Sequence, residues 1–337
     1  MTHSIEVTGG SRVYIGCAKE LLQEILPERR VIVISDSSVD RTHHDLIAPY
    51  EYILVGQGEQ AKSLATLDAI YRQLIELGAD RTTFILGIGG GVVTDIAGFV
   101  ASTYMRGVEF GFITTTLLGA VDASVGGKNG VNIGGFKNMV GTFSQPKFVV
   151  CDASLLASLP KREFRAGLAE VIKSAILGDK ELFEILEQSS FEELRNNEKL
   201  LERVIQHCVA IKASVVAEDE REGGRRRILN LGHTLAHAIE KSTSKLSHGE
   251  AVAVGLYYVT NSALTRKYIS KNDAERIFAL IERYGFDVAL PVERNEVLKA
   301  VEGDKKRKGD SLHIIFPTAI GAVEDRVVPY KELDKIF

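Results

Sequence analysis

The chain has 337 residues, 45% of them hydrophobic and 26% charged, with a formal net charge of −4. Length of this order predicts two domains, and the composition supplies both a large core and a solvated surface. The small net charge, with both signs interspersed, provides no field to gather nucleic acid or an anionic membrane, so neither is an expected partner. The opening MTHSIEVTGG has no basic segment followed by an apolar one, and no run reaches the ~20 apolar residues of a membrane span. A cytoplasmic location is expected. Cys17, Cys151 and Cys208 are widely spaced with no C-x-x-C pair, and all three are read as buried thiols.

In chain order, short β-branched runs first alternate with helical patterns: VIVIS (residues 31–35), ATLDAIYRQLIELG, then TTFILGIG (residues 82–89). That alternation predicts a mainly parallel sheet covered by helices. Residues 87–91, GIGGG, follow an apolar strand and precede VVTDIAGFVAS, a predicted helix. Such a turn lets backbone N–H groups approach a diphosphate with no Cβ in the way. Val92 stands where the third glycine of G-x-G-x-x-G belongs. Asp36, a carboxylate suited to the ribose hydroxyls, precedes the glycines instead of following them by about 20 residues. If NAD binds here, the sheet is wired differently from the common dinucleotide fold. A tight structural turn is the competing reading.

From about Leu156 the pattern becomes helical, as in FRAGLAEVIKSAIL and ELFEILEQ (residues 181–188), with Pro160 placed to open a helix starting near Arg162–Glu163. The expectation is an α/β domain over residues 1–155 and an α-helical domain over 156–337. Near the end, after a charged run at 304–308, SLHIIFPTAIGAVEDRVVP reads as a short hairpin returning to a sheet.

Three segments of the second domain offer metal ligands: AGLAEVIK with Glu170, LNLGHTLAHAIE with His233 and His237, and LSHGEAVAVG with His248. His233 and His237 stand at i and i+4 on one helical face, joined by Asn230 at i−3. Carboxylate with imidazole suits Zn²⁺, and three protein ligands leave positions for substrate oxygens. Two histidines also occur on plain interface helices. Against that, polar Asn230, His233, Thr234 and His237 on an apolar helix must be satisfied somewhere, and a ligand-filled cleft does so. His43, His44, His207 and His313 lack such company.

Arg106, Lys128, Lys137, Lys173, Lys212 and Arg226 each sit in a sequence where a surface charge would not be expected. Lys128 follows two glycines, and Lys173 lies one turn after Glu170. Taken singly each is an ordinary surface charge. Converging in a near-neutral protein, they point to a small anionic substrate with phosphate and carboxylate groups.

GGGVVTDIAGFVASTYMRG, TTTLLGAVDASVGGKNGVN, GFKNMVGTFSQP, GLAEVIK, EDEREGGRRRILNLGHTLAHAIE and SHGEAVAVG occur in this order between about Asp36 and Lys308. In combination they resemble the 3-dehydroquinate synthase family of sugar-phosphate cyclases. The resemblance implies an N-terminal NAD-binding α/β domain, a C-terminal α-helical metal- and substrate-binding domain, an active site between them, and a homodimer. It implies Glu170, His233 and His248 as ligands of Zn²⁺ or Co²⁺, which leaves His237 on the substrate side. Arg106, Asp122, Lys128, Lys137, Asn138, Lys212, Arg226, Asn230 and His237 match the family's substrate contacts. His237, Asn230, Lys173, Arg226 and Lys212 match its catalytic groups. Asp36, Glu59, Lys62, Gly90, Gly91, Asp95, Thr115 and Thr116 match its NAD contacts. One of Lys305 and Lys306 is a further expected anion contact. The sequence departs from the family at Ala236, where glycine is frequent, and at Asn129, where threonine is usual.

The implied reaction converts 3-deoxy-D-arabino-heptulosonate 7-phosphate to 3-dehydroquinate and phosphate, a step of the shikimate pathway to aromatic amino acids. Transient oxidation at C5 acidifies the C6 proton, phosphate leaves, C5 is reduced again, and ring opening permits an aldol closure. Rival readings are a cyclase acting on sedoheptulose 7-phosphate, one making an aminated dehydroquinate, and a metal-dependent alcohol or glycerol dehydrogenase. The last shares the GGG-x-x-x-D turn but takes an aspartate as its carboxylate ligand.

Overall fold

The computed structural model describes residues 3–302 and 310–336, so Lys305 and Lys306 lie outside the described residues. The chain forms two compact units: residues up to Pro160 together with Asn197–Arg221, and Lys161–Asn196 together with the residues from Glu222 onward.

The first unit is built on a seven-stranded sheet. Its strands are β1 (His3–Glu6), β2 (Arg12–Ile15), β3 (Val31–Asp36), β4 (Glu51–Val55), β5 (Phe84–Gly89) and β6 (Phe110–Thr114), with β9 (Phe148–Cys151) arriving after a hairpin of β7 (Lys128–Ile133) and β8 (Phe136–Phe143). The spatial order is β1-β2-β9-β6-β5-β3-β4, and every neighbouring pair is parallel except β1 with β2. Helices α1 (Ala18–Ile25) and α2 (Ser37–Ile47) supply Leu21, Val39 and Ile47 to a core with Val33, Leu86 and Ile88. Ile32, Ile34 and Ile85, on the alternate positions, are equally buried. Between them run α3 (Leu64–Glu76) and α4 (Gly91–Thr103), the latter packed on β5 and β6. Strands buried on both faces lose the alternating pattern and read as unbroken apolar runs, which is why VIVIS and FILGIG stand out in the sequence.

Counted from β3, the parallel strands lie in the order 2-1-3-4-5. In such a sheet ligands sit outside the carboxyl ends of the strands where the winding reverses, between the first and the third. Asp36 ends β3 and the glycine turn ends β5, and these strands are paired through Ser35 and Ile88. The acid therefore precedes the glycines because the glycines follow the third strand of this set.

Beyond Pro160 the chain runs through α5 (Lys161–Gly178), α6 (Lys180–Gln188) and α7 (Phe191–Asn196). It then returns to the first unit as α8 (Glu198–Glu218), which buries Val204, Ile205, Cys208 and Val209 and packs against β1 and β2. The single cut expected near residue 155 differs from this arrangement, because helical periodicity shows that α8 has an apolar face but not whose core it covers. The rest of the second unit is α9 (His233–Ser242), α10 (His248–Thr265), α11 (Lys271–Arg283), α12 (Arg294–Glu302) and the strands β10 (Ser311–Ala319) and β11 (Ala322–Pro329).

Two expectations are corrected. Among the described residues the terminal hairpin does not return to a larger sheet: β10 and β11 pair only with each other. Ile314, Ile315 and Phe316 are buried, with β10 packed on α10 and α5, so helices provide the cover that a sheet was expected to give. Cys17 is exposed, at the residue before α1, whereas Cys151 and Cys208 are buried. Burial pushes the Cys151 thiol up to about 12. Among the described residues no helix is long and apolar enough to cross a membrane.

Candidate functional site

Helix α5 carries Glu170 and Lys173 one turn apart, with only 1% and 2% of their surfaces exposed. A buried carboxylate is costly unless its lone pairs are used. Neither Glu170 oxygen accepts a hydrogen bond. Both face positive or potentially positive groups instead: Lys173 Nζ is in ion-pair contact with Oε2, and the Nε2 atoms of His233 and His248 each stand 3.5 Å from Oε1. One donor atom from each of Glu170, His233 and His248 can be chosen so that all lie within 4.8 Å of one another. Two ligands ~2.0–2.1 Å from one tetrahedral ion stand about 3.4 Å apart, and the two 3.5 Å carboxylate–imidazole separations are close to that value.

The electrostatics agree. Burial raises the Glu170 pKa, but Lys173, His233 and His248 together hold it well below the usual carboxylate range. His233 is driven down to about 3, first by burial and then by Lys173. For His248 burial also acts downward, but the facing carboxylates of Glu170 and Glu240 outweigh it and push the imidazolium up to about 10. One imidazole is therefore neutral and ready to ligate. The other holds a proton where a cation would satisfy the same carboxylate.

Two glycines of SHGEAVAVG bring these segments together. A Cβ on Gly249, the neighbour of His248, would lie 2.0 Å from the Ala166 carbonyl oxygen, one turn before Glu170. A Cβ on Gly255 would lie 1.9 Å from the carbonyl oxygen of Gly232, the residue before His233. Helix α10 thus touches the backbone of α5 at one point and the start of α9 at another, and only glycine allows either approach. His248 opens α10 just after the N-cap Ser247, whose side chain forms a reciprocal capping box with Glu250. Arg162 Nε and Nη2 donate to the two oxygens of Glu250, at 3.1 and 2.8 Å.

Around the cluster, His233 Nδ1 lies 3.1 Å from the Leu231 carbonyl, which as a pure acceptor fixes the proton there and frees Nε2. The exposed His237 ring lies 5.4 Å from that of His233 and 6.5 Å from that of His248. Asn230 Nδ2 donates to Glu222 Oε1 at 2.7 Å. Glu222 itself holds a left-handed φ of 59°, a strained state for this residue type. Arg226 is 2% exposed on the short helical turn Arg225–Asn230. Sequence reasoning missed Glu222 and Glu240. The available signal for Glu240 was its spacing, two turns after His233 and on the same face.

The first unit gathers the other expected residues. The N-cap of α4 is Gly90, which has no side chain to cap the first amides of the helix. A Cβ on Gly90 would lie 2.8 Å from Thr116 Cγ2, and one on Gly91 3.0 Å from Ala123 Cβ. The turn is thus tight enough to require glycine, as the structural reading of these residues expects. Thr115 N donates to the Gly89 carbonyl at 3.0 Å. Asp36 caps α2 through Oδ1, which accepts from the amides of Ser38 and Val39. Buried Lys62 donates to Asp95 Oδ2 and to Asn138 Oδ1, and Glu59 Oε1 accepts from Asn132 Nδ2 at 2.8 Å. Burial raises the Asp95 pKa to about 6 against the pull of Lys62. Lys212, on α8, donates to Asp122 Oδ1 at 2.6 Å. Arg106, Lys128 and Lys137 are exposed. Arg106 follows Met105 in a loop where both take left-handed backbones, φ 71° and 49°. Asn129, at the position where threonine was noted as usual, has room because Gly98 lacks a Cβ, which would lie 1.9 Å from its Oδ1. Its Nδ2 donates to the carbonyls of Gly127 and Ser144, tying down the turn before Lys128.

The family model for the N-terminal part of 3-dehydroquinate synthase matches residues 52–166, and the model for its C-terminal part matches residues 167–307. The chain belongs to the 3-dehydroquinate synthase family. The 3-dehydroquinate synthase of Pelobacter propionicus is 40% identical over 331 residues, 95% of this chain and 91% of the relative. Among solved structures, a 2-deoxy-scyllo-inosose synthase complexed with carbaglucose-6-phosphate, NAD⁺ and Co²⁺ superposes with a TM-score of 0.89 at 26% identity, covering 100% of this chain and 99% of that one. A 2-epi-5-epi-valiolone synthase from Streptomyces hygroscopicus with NAD⁺ and Zn²⁺ bound gives a TM-score of 0.86 at 28% identity, covering 99% and 97%. The 3-dehydroquinate synthase family thus shares its architecture with other cyclases, and within that group this chain is named by its family.

Proposed function

We propose that the protein is a phosphate-eliminating carbon–oxygen lyase that forms 3-dehydroquinate from 3-deoxy-D-arabino-heptulosonate 7-phosphate, with Zn²⁺ or Co²⁺ and a recycled NAD. The observation that carries the reading is the Glu170 carboxylate, sealed from water, without a hydrogen bond, and faced by two imidazole Nε2 atoms at ligand spacing. Glu170, His233 and His248 would hold the ion; Asp36, Glu59, Lys62, Gly90, Gly91, Asp95, Thr115 and Thr116 would hold the nucleotide. When bound, the ion supplies Lewis acidity to adjacent hydroxyls and NAD⁺ accepts a hydride that is later returned.

The chain's own residues do the rest. Exposed His237, beside the metal cluster, is the group placed to take the hydroxyl proton at the carbon being oxidised, with Asn230 orienting that hydroxyl. Lys173 keeps Glu170 ionised. Lys212, Arg226, Lys128 and Asn138 serve the carboxylate and hydroxyl contacts, with Asp122 paired to Lys212. Arg106 and Lys137 serve the phosphate end. A cytoplasmic homodimer is the expected working state, to be read from light scattering.

The test is phosphate release from the heptulosonate phosphate with trace NAD⁺. Many turnovers per NAD⁺ without accumulating NADH absorbance are expected, and Glu170→Gln should abolish both turnover and metal uptake. Equal or better use of sedoheptulose 7-phosphate would overturn the substrate assignment, and stoichiometric NADH would favour a dehydrogenase.

A further inference from the structure

The two histidines of the cluster differ in what holds their outer nitrogen. His233 Nδ1 meets a neutral backbone carbonyl, that of Leu231. His248 Nδ1 meets a carboxylate: both Glu240 oxygens lie 3.3 Å from it. The Glu240 side chain is only 8% exposed and sits on α9, the helix that also carries His233. A carboxylate can only accept at this distance, so Nδ1 must carry the proton and, in the neutral ring, Nε2 must present its lone pair toward Glu170. We infer that Glu240 is a positioning residue for the metal centre: it fixes the tautomer and orientation of His248 and adds a second negative charge behind the ligand set. This inference rests on the proposal that Glu170, His233 and His248 hold a divalent ion.

The charges state the consequence. A divalent ion with ionised Glu170 and protonated Lys173 leaves the cluster at +2, and buried Glu240 brings this to +1. A charge of that kind one imidazole away strengthens ion retention and makes His248 the more electron-donating of the two imidazoles. A carboxylate behind a ligating histidine typically contributes ten- to a hundred-fold in metal affinity.

The experiment measures Zn²⁺ affinity by chelator competition, and the visible spectrum of the Co²⁺-loaded full chain, for the unaltered protein, Glu240→Gln and Glu240→Ala. Glu240→Ala is expected to lose roughly ten- to a hundred-fold in affinity and to shift the Co²⁺ bands. Glu240→Gln, which keeps an acceptor but not the charge, is expected to fall between. A residue that merely supports the fold would lower unfolding stability with and without metal alike, leaving affinity and spectrum unmoved. Should Glu240→Ala fail to fold, Glu240→Gln, equal in size, carries the test. Normal Zn²⁺ uptake by the unaltered chain, with affinity within twofold in the foldable variants, overturns this inference alone. No uptake by the unaltered chain overturns the metal reading and this inference with it.

Discussion

In the first unit the two buried lysines are paired with carboxylates, Lys62 with Asp95 and Lys212 with Asp122. In the second, the central carboxylate accepts no hydrogen bond and is ringed by three nitrogen groups. The two regions are prepared for ligands in opposite ways. Paired charges are stable while empty and must give up partners when a ligand arrives, so part of the binding energy is consumed in rearrangement. An unsatisfied carboxylate held among imidazoles is already arranged for a cation and gains from it directly.

The largest effect that would test this contrast is removal of one member of a buried pair. Lys62→Met leaves Asp95 without its ammonium, and breaking such a pair costs on the order of 3–5 kcal/mol. Urea unfolding should show that loss, and adding Asp95→Asn should recover most of it. Additive losses in the double variant would mean that the pair is not the unit of stability.

Next in size is a pH effect. The folded pKa of Asp95, about 6, is raised above the ordinary 3.8, so the folded state holds this proton more tightly than the unfolded chain does. The contribution is fully present below about pH 3.8 and is lost as pH rises through 6. The window spans two pKa units, on the order of 3 kcal/mol. Unfolding free energies of the unaltered protein and Asp95→Asn, compared between pH 4 and 7, should diverge across that window. Parallel curves would remove the strain assigned to Asp95.

The smallest expected effect concerns the arranged site. Gly255→Ala forces α10 away from the Gly232 carbonyl, an overpacking that costs about 1–3 kcal/mol. Because that contact stands beside His233, Zn²⁺ affinity should fall along with stability. Unchanged affinity at reduced stability would show that the ligands are positioned by something other than this helix contact.

How much of this was legible beforehand differs by feature. Strands β3 and β5 announced themselves because burial on both faces removes every polar residue. The three ligand-bearing segments were legible from residue type, yet spacing could not choose between His233 and His237. That choice depends on which ring reaches Glu170, and the structure puts the His233 Nε2 there. Glu240 and Glu222 escaped notice because a glutamate on an amphipathic helix or in a loop is ordinarily solvated. Gly249 and Gly255 were visible as glycines, but their partners, Ala166 and Gly232, come from distant segments and leave no local mark. The exposure of Cys17 was hidden for a similar reason: residue type favours a buried thiol, and nothing in the local sequence shows that this one, just before α1, faces outward.

The return of α8 has a consequence during synthesis. The seven strands of the main sheet are all made by Cys151, but the helix that lies against β1 and β2 begins only at Glu198, after α5, α6 and α7 have been made. On a growing chain the sheet therefore waits, with the surface that Val204, Ile205 and Val209 will cover still open to water. A nascent chain that has emerged only as far as Pro160 would display a nearly finished but adhesive fold. Chaperones that survey nascent chains should engage this protein most strongly over that interval and let go once α8 has emerged.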